Sequence, residues 1–106
     1  MKIVIANSIG KDKNGRYVIH SPSRWCESVS SKYRWFSYYP WELAYLSSLL
    51  KQKTDHQVKL VDGCLLALDR KSYTELILAE KPDVLVMESA SRMIDENLLL
   101  AKEIKK

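Results

Sequence analysis

The stretch from Pro40 to Asp62, PWELAYLSSLLKQKTDHQVKLVD, constrains the fold of this chain more than any other. A first helical turn tolerates proline, because its missing N–H would have no intrahelical partner there. Leu43, Leu46 and Leu50 follow at helical spacing, Thr54-Asp55 is turn chemistry, and Val58-Lys59-Leu60-Val61 is a β-rich run closed by Asp62. A helix therefore feeds a strand. A second β-type run, Lys2 to Ala6, stands ahead of it. The order strand, helix, strand predicts parallel pairing through a right-handed crossover.

A chain of 106 residues, 46% apolar and 28% charged, suffices for one compact domain and is too short for two, so residues 1–106 are expected to form a single α/β unit. Cys26 and Cys64 lie far apart, without the paired spacing of a zinc site or a disulfide framework. No run of about 18 apolar residues occurs, so no membrane partner is expected. A reducing cytoplasmic setting fits these features. The net charge of +4 is unevenly placed: Lys11, Lys13, Arg16, Arg24, Lys32 and Arg34 face only Asp12 and Glu27 between residues 11 and 39.

The first strand ends near Ala6 and the helix begins near Pro40. That leaves a connection far longer than the usual loop of about 2–6 residues, and such loops are functional or disordered. Composition argues against disorder, since nine of the ten aromatics lie between Tyr17 and Tyr45. These rings either form a satellite core that pins the loop or cover something flat and apolar. Trp41 and Tyr45, on the helix itself, are expected in the core. Asp12 to Gly15 is a turn signal and Arg16 to Ile19 a short strand candidate, which together suggest a small hairpin.

Beyond Asp62, Gly63-Cys64 leaves the strand end. Asp69 or Ser72 can cap a helix whose inward stripe holds Tyr73, Leu76 and Ile77, and Lys81-Pro82-Asp83 stops it. Val84 to Met87 is apolar at consecutive positions, as in a strand covered on both faces. The last helix starts near Met93, with Ile94, Leu98, Ala101 and Ile104 expected inward and Lys102, Lys105 and Lys106 suiting its carboxyl end. The pattern is βαβαβα, a three-layer Rossmann-like arrangement with a short parallel sheet of order 2-1-3 and a long aromatic loop after strand 1.

In such sheets ligands sit outside the carboxyl ends of the strands, where strand order reverses. The long loop, Asp62-Gly63 and Glu88 to Arg92 should meet there. Ser8, Trp35, Tyr39, Asp62, Ser89 and Ser91 are the expected ligand contacts. No catalytic constellation is visible. Asn7-Ser8-Ile9-Gly10 fits neither a dinucleotide loop nor a P-loop, His56 falls in the turn entering strand 2, at the far edge, and Cys26 has no partnered base.

MKIVIANS, a long loop, YYPWELAYLSSLL, DHQVKLVD, EKPDVLVMES and a closing amphipathic helix together resemble the N-terminal cobalamin-binding domain that precedes the catalytic barrel of B12-dependent radical SAM enzymes. In that family a strand is followed by a proline-led LAYLA-type helix, a His-x-Val strand ending in Asp and a Lys-Pro-Asp strand start. The resemblance spans nearly the whole chain. Two departures stand out: the family fold continues through two more strands and a glycine-rich turn, and the CxxxCxxC motif for the iron–sulfur cluster is absent. The resemblance thus implies the first half of a cobalamin module, truncated at its C-terminus and not catalytic alone. Any iron–sulfur cluster and S-adenosylmethionine would belong to a parent methyltransferase or cyclase.

A corrinoid is a large, flat, mostly apolar ring with amide arms, and a loop rich in Trp, Tyr, Arg and Ser suits it. No histidine lies between Asn7 and Gly15, so binding without a protein imidazole on cobalt is expected. Two other readings stay open: an α/β protein-interaction domain, and nucleotide or single-stranded nucleic-acid binding through the basic aromatic loop, for which three arginines make a thin footprint. Strand 3 should be a bare, half-covered edge that pairs with the remainder of a longer polypeptide or with a second copy.

Overall fold

A computed structural model describes residues 1–10, 14, 17–18, 28–29, 39–89 and 93–105. β1 (Lys2–Ala6) is the central strand of a three-stranded parallel sheet, flanked by β4 (Gln57–Val61) and β5 (Val84–Met87) in the order β4-β1-β5. Ile3 pairs with Val58 on one side and Val84 on the other. The expected order 2-1-3 is present. A second, two-stranded antiparallel sheet joins β2 (Tyr17–Val18) to β3 (Ser28–Val29). β2 covers two residues of the strand expected at 16–19, and its partner among the described residues is the downstream β3; the Asp12–Gly15 turn signal falls largely outside them.

Alternation along the strands sorts the core into two clusters. Ile3 and Ile5 meet α1 (Trp41–Lys53) through Leu43, with Leu46, Leu50, Val58, Leu60 and Val86 packed around them. Val4, Ala6 and Val61 point the other way, against Tyr73 and Ile77 of α2 (Arg70–Ala79) and Leu100 of α3 (Ile94–Lys105). Burying side chains such as Ile5, Ile77 and Leu100 contributes about 1.5–3 kcal/mol each.

Local chemistry sets the helix ends. α1 begins just after Pro40, whose carbonyl accepts from Ala44 N–H, and its last turn closes with Thr54 Oγ1 donating to Leu50 O at 2.6 Å. Asp69 caps α2 by accepting from Ser72 N–H at 2.8 Å, so Asp69 and not Ser72 is the cap. Lys81 then takes a left-handed φ of 49°, and Pro82 prevents continuation. Below the sheet, Glu80 joins Lys2 of β1 to Lys59 of β4. Hydrogen bonds from Lys2 and then Lys59 hold its carboxyl below the ordinary range.

The inward stripe of α3 differs from the sequence expectation. Met93, Asn97 and Leu100 are buried, with Ile104 half-buried, whereas Ile94 and Leu98 are 50% and 54% exposed and Ala101 is exposed. The helix is rotated by about one residue from the stripe that apolar spacing selects, because Asn97 is drawn inward by partners on the strand ends. Among the described residues β5 is an edge strand, with Val84 exposed and Val86 half-buried. Among the described residues no helix is long and apolar enough to cross a membrane.

These burials set unequal sensitivities. Ile77→Ala should lower unfolding stability by about 2–5 kcal/mol, read from the urea midpoint, while Val84→Ala on the open edge should cost less than about 1 kcal/mol. Equal losses would show that β5 is as deeply packed as α2.

Candidate functional site at the strand ends

Asn7 follows directly on the buried run of β1 and is itself 2% exposed. Its amide cannot reach water, so each polar atom needs a partner. Nδ2 donates to Asp62 Oδ1 at 2.6 Å, and Oδ1 accepts from Gly63 N–H at 2.9 Å. The Tyr73 hydroxyl lies 3.0 Å from Asn7 O, 3.0 Å from Asn7 Oδ1 and 3.3 Å from Val61 O. With one proton, it donates to one of them at a time. Burial, then the neighbouring Cys64 and Asp62, pushes the Tyr73 phenol well above its ordinary range, so it stays protonated. Gly63 passes so close that an added Cβ would stand 2.7 Å from Ile9 and 2.8 Å from the Tyr73 ring.

Ser8 ties the same strand end to β5 and α3. Its N–H donates to Glu88 Oε1 at 3.3 Å, and Glu88 N–H returns a bond to Ala6 O at 3.2 Å. Its hydroxyl donates to Asn97 Oδ1 at 3.0 Å, and Asn97 Nδ2 donates onward to Ser89 Oγ at 3.2 Å. The Cys64 thiol reaches Ser8 O at 3.4 Å. Desolvation, reinforced by Asp62 and Glu88, raises that thiol to about 12, so Cys64 is not a thiolate nucleophile. Among the described residues every buried side-chain N and O has a partner, and no group of three His, Cys, Asp or Glu is placed to hold a metal.

Beside this network several apolar side chains are exposed. Asp62 Oδ1 also accepts from Leu65 N–H at 2.9 Å, which folds the turn so that Leu65 and Leu66 are 62% and 56% exposed. They border a groove of about 340 Å³ whose lining includes Tyr39, Pro40, Leu60 and Leu76 together with Lys59 and Asp62. The strand ends thus offer two carboxylates, Asp62 and Glu88, on a rigid base beside a rim of exposed apolar side chains. That combination suits a ligand with an apolar body and amide or hydroxyl donors.

Of the residues expected to touch a ligand, Asp62 and Ser89 belong to the strand-end network, and Tyr39 lines the groove while 55% exposed. Ser8 belongs to the network too, but it is fully buried and its hydroxyl is committed to Asn97, so it supports the surface from beneath. Trp35 and Ser91 lie outside the described residues, as does Cys26. His56 stands in the turn before β4, at the opposite end of the sheet, as expected. Trp41 and Tyr45, expected in the core, are instead 55% and 71% exposed. Sequence reasoning missed Asn7, Tyr73 and Asn97. A polar residue directly after a continuous apolar strand could have signalled Asn7, whereas Tyr73 reads as an ordinary member of a helical stripe.

Two measurements probe this base. Tyr73→Phe should cost about 1–3 kcal/mol of stability, because it leaves buried acceptors short of a donor. In a Cys26→Ser background, a thiol raised from 9.0 to about 12 carries roughly a thousandfold less thiolate. Cys64 should therefore react with iodoacetamide at pH 8 far more slowly in the folded chain than in urea, and equal rates would show it exposed. Comparison of the chain with protein-family models, with characterised proteins and with solved structures finds no match to any of them.

Proposed function

We propose that this chain is a cobalamin-binding module, three-layer and Rossmann-like, of the kind that precedes the catalytic barrel in B12-dependent radical SAM enzymes, and is not catalytic alone. One observation supports the reading: at the carboxyl ends of the parallel strands, Asn7, Ser8, Asp62, Ser89 and Asn97 form one hydrogen-bonded polar base beside exposed Tyr39, Leu65 and Leu66. A corrin macrocycle needs an apolar surface for its ring and acceptors for its acetamide arms. Tyr39, Leu65 and Leu66 supply the first, and Asp62 and Ser89 supply the second, with Trp35 and Ser91 proposed as further contacts. When bound, cobalamin supplies cobalt-centred group-transfer chemistry to a parent enzyme, which would bring its own iron–sulfur cluster and S-adenosylmethionine.

This chain's residues bind and orient. Asn7, Tyr73 and Asn97 keep the base rigid, so little ordering cost falls on binding. Asp62 and Glu88 disfavour a phosphate at the same place, which weighs against the nucleotide and nucleic-acid reading. The edge position of β5 favours pairing with a further strand of a longer polypeptide as well. Cytoplasmic placement remains part of the proposal.

Titration with hydroxocobalamin, followed by corrinoid absorbance and Trp quenching, is the test. Saturable binding is expected, weakened about 3–10-fold by Tyr39→Ala, the worth of one aromatic contact. The Co(II) form should show no nitrogen splitting from a protein histidine in its EPR spectrum. No spectral change with a folded chain, or affinity indifferent to both Tyr39→Ala and Ser89→Ala, would overturn the reading.

A further inference from the structure

Helix α1 has two apolar faces. Leu43 and Ser47 are buried and Leu46 and Leu50 half-buried against the sheet, while Trp41, Tyr45 and Leu49 recur every fourth residue and are 55%, 71% and 53% exposed. Residues four apart lie one above the other on a helix, so these three form one continuous stripe turned away from the core. Tyr39 extends it: its ring meets Trp41 edge-on with centroids 4.8 Å apart, and Trp41 lies 6.5 Å from Tyr45. The outward face of a surface helix is ordinarily polar, and an apolar patch of several hundred Å² marks an interaction surface.

The flanking charges indicate what covers it. Glu42 in the first turn and Lys53 in the last are both exposed. At about 100° per residue they fall on the same side of the stripe. A two-fold axis between antiparallel helices keeps each flank beside its own copy, so Glu42 of each chain meets Lys53 of the other. The register centred on Ser47 places Tyr45 opposite Leu49 of the second copy, twice over, and lays Trp41 along the aliphatic stem of Lys53. Four side chains of this size, half or more exposed, present on the order of 500 Å² per chain, so pairing buries about 1,000 Å² in total, the lower end of a specific interface.

We infer that the exposed Trp41-Tyr45-Leu49 stripe of α1 docks a second copy of this chain, α1 against α1 in antiparallel, two-fold register. The contact uses the face of α1 turned away from the sheet, and of the residues lining the groove only Tyr39 borders it.

Sedimentation equilibrium on the full chain is the test. A reversible monomer–dimer equilibrium is expected, with a dissociation constant on the order of 10–100 µM, as suits an interface of this size. Tyr45→Ser or Trp41→Ser should weaken it about tenfold or more with unchanged far-UV circular dichroism, since each loss occurs twice. Glu42→Lys and Lys53→Glu should each weaken association, and the two combined should restore it to within about threefold, an outcome that only the antiparallel register produces. Val84→Lys, on the β5 edge, should leave it unchanged. A strictly monomeric chain at about 1 mM, a dimer broken by Val84→Lys but not by Tyr45→Ser, or failure of the double charge exchange would each overturn the inference.

Discussion

The buried amide of Asn7 is the interaction on which the rest of this structure depends. It lies one residue past a strand with no access to water, so its oxygen and nitrogen must be satisfied by protein. Asp62, Gly63 and Tyr73 do so, and in doing so they fix two segments, the turn after β4 and α2, to the end of β1. The turn after β4 is drawn over β1 because its backbone N–H and carboxylate are the partners available. The ring of Tyr73 is held at one angle, and with it the packing of α2 on Val4 and Ala6.

Ser8 repeats this device on the other side. By bonding Asn97 and Glu88 it couples β1 to α3 and to the end of β5. The two adjacent residues therefore organise both flanks of the strand-order reversal. Polar groups are spent on each other beneath the surface, while Tyr39, Leu65 and Leu66 stay exposed beside them.

The two edges of the sheet are unequal. On the β4 side, α1 covers Val58 and Leu60, and the Glu80 ion pairs close the lower corner. On the β5 side Val84 is left in solvent. α1 turns only one of its apolar faces to the sheet, so Trp41, Tyr45 and Leu49, on the other, face outward.

Local pattern by itself determined the elements and their order. Lys2–Ala6 and Val84–Met87 are legible as nearly continuous apolar runs and Gln57–Val61 as a valine- and leucine-bearing run that alternates with polar residues. Crossover handedness then orders them, and the convergence of Ser8, Asp62 and Ser89 follows from that order. Tertiary structure alone decided which face each helix presents. Apolar spacing in α3 favours Ile94, Leu98 and Ala101, yet Met93, Asn97 and Leu100 are buried, since a hydrogen bond from Ser8, 89 residues away in sequence, outweighs a one-residue shift of the stripe. In α1 both Leu43-Leu46-Leu50 and Trp41-Tyr45-Leu49 satisfy the helical period, and no local signal ranks them. Pairing across the sheet ranks them: the compact leucines fit the pleated surface of β1 and β4, and the rings are left to the outside.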